Sequence, residues 1–258
     1  MNTKNISPKV RVVYIFVLCW LFGWFIKAEF FFPYLFGTIV RTPVLNNFFP
    51  ELLAQPFVAQ LAYVLPVTAA AVFIRPSLWM LRIAALVMVF SAATLVVHQE
   101  TCNDATFVTS FWSALWFLWF AVHWEREDEY LFVHSRRIGQ WIVGMIFWAG
   151  FIGKLTPEYW NGDVFYNIFF VQDSEWLGVW ARGVIPFQQA HAFAVVVSCC
   201  VIAAEFFLSL APFLPFALIS RYGLLILLGV PVFSTWRIFS VLSCLIGILL
   251  ACRSWKRI

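Results

Sequence analysis

Apolar runs of hydrocarbon length, separated by short polar breaks, organise this chain. A bilayer core about 30 Å thick takes roughly 20 apolar residues in helical form. Eight runs approach that length, near 12–26, 57–74, 81–97, 107–122, 138–152, 192–214, 224–233 and 241–252. The last two are short and separated only by Ser234, Thr235, Trp236 and Arg237, as in a broken pair or a hairpin. The first either ends near Ile26 or continues past Lys27 and Glu29 towards Phe36, tilted or partly re-entrant. The pattern predicts an all-α fold: a polytopic transmembrane helix bundle of about eight helices (seven to nine). It forms a single transmembrane domain over 1–258, with no soluble domain.

Composition agrees with that pattern. Of 258 residues, 63% are hydrophobic, 20% aromatic and 12% charged. Soluble domains carry roughly 25% charge, so this chain has too little for a water-soluble globule or a disordered protein. The net charge of +4 is small and dispersed, which excludes a basic, phosphate-tracking surface and a nucleic-acid partner. The expected partners are the lipid bilayer and other integral membrane subunits.

Loop charge then sets the orientation. With a cytoplasmic N-terminus, 12 of the 17 Lys and Arg residues fall inside, leaving Lys27, Arg41, Lys154, Arg182 and Arg237 outside. The C-terminus returns to the cytoplasm. Lys4, Lys9 and Arg11 ahead of an apolar run imitate a cleavable signal, but no small-x-small site follows, so a retained signal anchor is expected.

Several chemistries find no support. Cys19, Cys199, Cys200, Cys244 and Cys252 fall within predicted helices as reduced apolar thiols, and only Cys102 sits in an outside loop. His98, His123, His134 and His191 scatter over both sides, so neither metal nor haem is expected. No GxSxG, HExxH, P-loop or dinucleotide fingerprint is present. Residues 125–129, followed by His134, Ser135, Arg136 and Arg137, read as a solvated loop.

Polar groups at hydrocarbon depth or at a helix mouth carry the information in such a chain. At 98–104, a helical turn places Glu100 on one face with Asn103 and Asp104; an ordinary loop with Asn103 or Asp104 capping the next helix is the plainer alternative. At 150–162, an apolar helix runs straight into Lys154, with Glu158, Tyr159 and Trp160 close behind. A lysine held in apolar surroundings loses hydration, which favours a neutral amine able to act as a base. Equally, Lys154 snorkels, pairs with Glu158 and sits in an aromatic belt. Glu205, within an apolar helix, costs roughly 2.5–3.5 kcal/mol on insertion scales and needs a partner or a wet cavity. Lys27 and Glu29 read as an interfacial pair, and Arg237 as an interfacial anchor or an anion contact.

The segment 150–162 (Ala149-Gly150, then Lys154-Leu155, an acid, an aromatic and a Gly eight residues after the Lys) resembles the HTTM (horizontally transferred transmembrane) domain. That is the membrane part of the vitamin K-dependent gamma-carboxylase and its bacterial relatives. Arg82 opening the third run, the turn after it, the pair Arg136-Arg137 preceded by His134, and Glu205 downstream of Lys154 agree in order. The resemblance implies quinol chemistry at the outer face of a bacterial inner membrane. Lys154 would be the base on a vitamin K-like quinol, Asn103 would touch the quinone, and Glu100, Trp160 and Glu205 would line its pocket. Asp104 stands where the carboxylase family carries a supporting His, and Tyr159 takes the slot of a Trp. An aspartate beside Lys154 favours the ammonium and opposes its use as a base. The large lumenal substrate domain of the carboxylase has no counterpart in these 258 residues. Two functions are therefore expected: a scaffold or accessory subunit of a membrane complex, and, as the alternative, a carboxylase-like enzyme using Lys154 and Asp104.

Overall fold

The computed structural model describes residues 7–26, 28, 32, 35–37, 50–97, 105–171, 176–213 and 248. Among them every regular element is helical. Four helical stretches are long and apolar enough to cross a membrane: Pro8–Phe25, Pro56–Phe73, Leu78–Val96 and Phe187–Leu210. Thr106–Val122 is a shorter apolar helix of the same kind. The predicted run at 224–233, the run at 241–252 apart from Ile248, and Lys27, Glu29 and Arg237 lie outside the described residues. The chain divides into two compact units, 1–139 with 239–258, and 140–238.

The first unit is built on aromatic packing. Helix α1, Pro8–Phe25, starts where the Ser7 hydroxyl accepts the Val10 N–H and Pro8 presets the first turn. Its buried stripe is Val12, Val13, Phe16, Val17, Trp20 and Trp24. Two indole donors in that stripe find carbonyls, which a buried N–H requires. Trp20 Nε1 donates to Ser110 O at 3.0 Å and Trp24 Nε1 to Tyr63 O at 2.9 Å. The two indoles stack at 4.9 Å, and Phe16 packs on Trp116 and Phe117 at 5.0 Å each.

The second predicted run is helical but not uniform. Helix α2, Pro56–Val64, tightens into a 3-10 helix over Leu65–Phe73. Pro66 explains the change, because it lacks the N–H that an α-helix needs there and its ring crowds the preceding turn. Helix α3, Leu78–Val96, buries small residues (Ala84, Ala85, Ser91, Ala92), the kind of face that lets helices approach closely in lipid. Its opposite face exposes Trp79, Ile83, Leu86 and Phe90. Helix α4, Ala105–Val122, buries Thr109, Ser110 and Ser113 among aromatic rings, with the Ser113 hydroxyl donating to the Thr109 and Ser110 carbonyls. Small hydroxyls thus sit among the buried rings, while large apolar side chains such as Trp79 and Phe90 are exposed on the outside.

Helix α5, Asp128–Gly153, begins ten residues before the predicted run at 138. The charged stretch through Arg137, expected as a solvated loop, is helical from Asp128 onward. Asp128 and Glu129 in the first turn suit the positive end of the helix dipole, and no glycine intervenes before Gly139. Lys9 ties this turn to the start of α1: its Nζ donates to Trp124 O at 3.0 Å and Arg126 O at 2.9 Å, and pairs with Asp128 at 2.7 Å.

The second unit contains α5 from Gln140, the short helices α6 (Pro157–Trp160) and α7 (Asp163–Tyr166), a π-helical turn over Asn167–Val171, α8 (Trp176–Val184) and α9 (Ala190–Leu210). Its core comprises Phe165, Phe169, Ala194 and Val201, with Tyr159, Tyr166, Phe170 and Phe193 around them. The chain from Gln140 to Tyr166 runs antiparallel along α9 and its C-terminal turn. Gln140 Nε2 donates to Pro212 O at 2.8 Å, Ser198 donates to Tyr159 O, and Asp163 meets His191. Gly162 permits the close passage: its φ is +79°, and a Cβ there would lie 2.6 Å from Val195 N.

Candidate functional site

The described polar residues converge where α5 ends. Lys154 N bonds Phe151 O and Leu155 N bonds Ile152 O, both at 3.1 Å, so the final turn tightens. Thr156 is then extended (φ −109°, ψ 155°), as the residue before Pro157 prefers to be. This break frees Lys154 to reach sideways to α9. Its Nζ lies 2.7 Å from Glu205 Oε1 and 2.9 Å from Oε2, a two-oxygen contact. The Gly150 carbonyl is 3.5 Å away, and the Tyr159 ring centroid 5.7 Å. Both side chains are largely sequestered, at 16% and 9% exposure.

Gly150 makes the approach possible. A Cβ there would lie 2.9 Å from Glu205 Oε2 and 3.1 Å from its Cδ, so a larger residue would displace the carboxylate. The missing side chain one helical turn before Lys154 is therefore part of the ion-pair geometry.

The partner differs from one of the two sequence expectations for Lys154. Glu158 does not hold it. That carboxylate is exposed, and its own backbone N–H and the Thr156 hydroxyl keep it below the usual carboxylate range. Lys154 pairs instead with Glu205, 51 residues away, and Glu205 thereby acquires the partner that a carboxylate in an apolar helix requires. Trp160 is exposed on α6. Glu100, Asn103 and Asp104 lie outside the described residues, as do His98 and Cys102. Lys154 and Glu205 are thus brought together by the fold, with Trp160 two short turns along the chain.

Tyr159, noted in the sequence beside Trp160, faces the ammonium with its ring. Other groups near the pair were not singled out from sequence: Ser198, two turns before Glu205 on α9, holds the Tyr159 carbonyl. Asp163 Oδ1 lies 3.3 Å from His191 Nε2 at the exposed start of α9. The signal for these was the seven-residue spacing of His191, Ser198 and Glu205, which repeats nearly two helical turns and keeps all three on one face. On the far side of the pair, Trp148, Phe151 and Phe206 pack together with centroids 5.3–6.1 Å apart. An apolar groove of about 260 Å³ lies there, lined by Trp141, Gly144, Met145, Trp148, Ser209, Leu210 and Phe213. Lys154 does not line it. Among the described residues no group of three His, Cys, Asp or Glu is placed to hold a metal.

No protein family, curated protein or solved structure matches the chain.

Chemically, the arrangement is an ammonium held by both oxygens of one carboxylate beside an aromatic face. The contact is charge-assisted and made at two points. It joins the end of α5 to α9 and neutralises both groups locally.

Proposed function

We propose that this chain is a multi-pass integral protein of a bacterial inner membrane, N-terminus inside, and an HTTM-class scaffold or accessory subunit of a membrane complex. The observation that carries this reading is the pairing of Lys154. An amine that must act as a base needs a free lone pair, whereas Lys154 Nζ is in contact with both oxygens of Glu205. Its cation serves to fasten two parts of the second unit. The exposed Trp79, Trp112, Trp141, Trp148 and Trp180 provide rings for lipid or for neighbouring subunits, a residue type enriched at interfaces. Affinity capture of the tagged full chain from its own membranes tests this. A stoichiometric integral partner that survives Lys154→Met is expected, and recovery of the chain alone overturns the reading.

A second reading has one observation in its favour. Lys154 keeps 16% exposure at a helix mouth with an aromatic ring beside it. A vitamin K-like quinol docked there would find the residue the carboxylase family uses as its base. Naphthoquinol-dependent turnover by purified protein, lost in a folded Lys154→Ala variant, would establish this alternative; turnover unchanged in that variant would remove it.

A further inference from the structure

The first unit carries two cations that the contacts described above leave unused. Lys9, at the start of α1, reaches the carbonyls just past α4 and Asp128 at the start of α5. Tyr14, also near the start of α1, packs on Phe73, the last residue of the 3-10 helix, with ring centroids 5.3 Å apart. Arg75 and Arg82 follow Phe73 and so stand at this same end of the unit, Arg82 in the second turn of α3. The Nε of Arg82 is closed off from solvent and meets no acceptor, although the residue as a whole stays partly exposed. Neither arginine enters an ion pair among the described residues. The start of α3 needs no outside anion of its own, because the Ser77 hydroxyl accepts the Met80 N–H.

What surrounds these cations selects the kind of anion. Ile74 beside Arg75 is 89% exposed, and Trp79, three residues before Arg82 on α3, is 72% exposed. The exposed apolar face continues along α3 through Leu86 to Phe90, about 16 Å from Trp79 along the helix axis. From this juxtaposition we propose that Arg82, assisted by Arg75, holds the phosphate of an anionic phospholipid whose acyl chain lies along the Trp79–Phe90 face. A guanidinium does not deprotonate in proteins, and its fork of N–H donors matches phosphate oxygens. A free phosphate ion satisfies the charge but leaves Ile74 and Trp79 in water. An anion joined to a hydrocarbon tail satisfies both.

The acids of the first unit do not serve the two arginines. Glu51 precedes α2, a whole helical stretch away from Phe73, and so lies towards the opposite end. Glu125, Glu127, Asp128 and Glu129 lie between α4 and the first turn of α5, all exposed, and Asp128 is held by Lys9. The counter-charge for Arg82 must therefore come from outside the described chain. Basic groups at the end of a membrane helix attract anionic headgroups in this way.

The proposal rests on the membrane reading, and the test separates the two. The full chain in mild detergent is titrated with dioleoyl phosphatidylglycerol, dioleoyl phosphatidylcholine or inorganic phosphate, and bound molecules are counted by native mass spectrometry. Phosphatidylglycerol is expected to bind in preference to the zwitterionic lipid. Arg82→Gln should weaken that binding about fivefold, the worth of one cation beside an anionic lipid surface, and leave phosphatidylcholine binding unchanged. Phosphatidylglycerol should also raise the thermal midpoint of the parent but not of Arg82→Gln. If Arg82→Gln does not fold, the exposed Arg75→Gln carries the same test. Equal phosphatidylglycerol binding by the parent and both variants overturns the lipid site, as does displacement of the lipid by inorganic phosphate. Loss of a co-purifying protein from Arg82→Gln, with lipid binding unchanged, assigns the arginine to a protein partner and overturns it too. A chain stripped from vesicles by alkaline wash overturns the membrane reading instead.

Discussion

Removing one member of the Lys154–Glu205 pair should be far more damaging than removing both. At 2.7 Å and an effective dielectric of about 20, the gross attraction is about 6 kcal/mol. Desolvating the two ions costs several kcal/mol each, so the pair as a whole contributes little net stability. Breaking it strands a buried charge, which costs about 3–5 kcal/mol. Lys154→Met and Glu205→Gln should therefore each lose about that much, while Lys154→Met with Glu205→Leu should return to within about 1 kcal/mol of the parent. Reversible unfolding of the full chain in bicelles measures all three. Single losses below about 1 kcal/mol, or a double variant equal to the sum of the singles, would refute the pairing as the source of the effect.

Three further substitutions probe the packing around the pair. Gly150→Ala puts a methyl 2.9 Å from Glu205 Oε2 and should lower the thermal midpoint, as a scanning melt would show. Gly162→Ala combines a φ of +79° with a Cβ 2.6 Å from Val195 N, and should cost at least about 1–2 kcal/mol in the same unfolding assay. Trp20→Phe removes the donor to Ser110 O in the first unit, and a loss of about 1–3 kcal/mol without a change in helix content by circular dichroism is expected.

How much of this was legible in sequence depends on the range of the interaction. Apolar run length located α1, α3 and α4 within a few residues, because the bilayer requirement acts on contiguous residues. It misjudged the start of α5, where charged residues continue a helix beyond its apolar part, and charge alone does not mark a loop. Run length did not report the change to a tighter helix after Val64, which Pro66 imposes by a local steric effect. The partner of Lys154 was harder. Glu158 lies at the helical i+4 spacing and Glu205 lies 51 residues away, so sequence distance favours the wrong acid. Only Pro157, which breaks the helix between Lys154 and Glu158, and Gly150, which opens room for Glu205, shift the choice, and their effect depends on where α9 packs. The resemblance to the HTTM class likewise drew attention to Lys154 as a base, and to Asp104 and Asn103, which lie outside the described residues. It gave no reason to expect the lysine to be held by Glu205.

If Lys154 is a paired ammonium that fastens the fold, its amine reactivity shows it most directly. Brief exposure of the intact membrane-bound chain to a membrane-permeant acylating reagent at neutral pH, read by peptide mass spectrometry, gives the labelling rate of each lysine. Lys154 should label slowly in the parent and many-fold faster in Glu205→Gln. Rapid labelling of Lys154 in the parent, unchanged by Glu205→Gln, would show a free amine and contradict it.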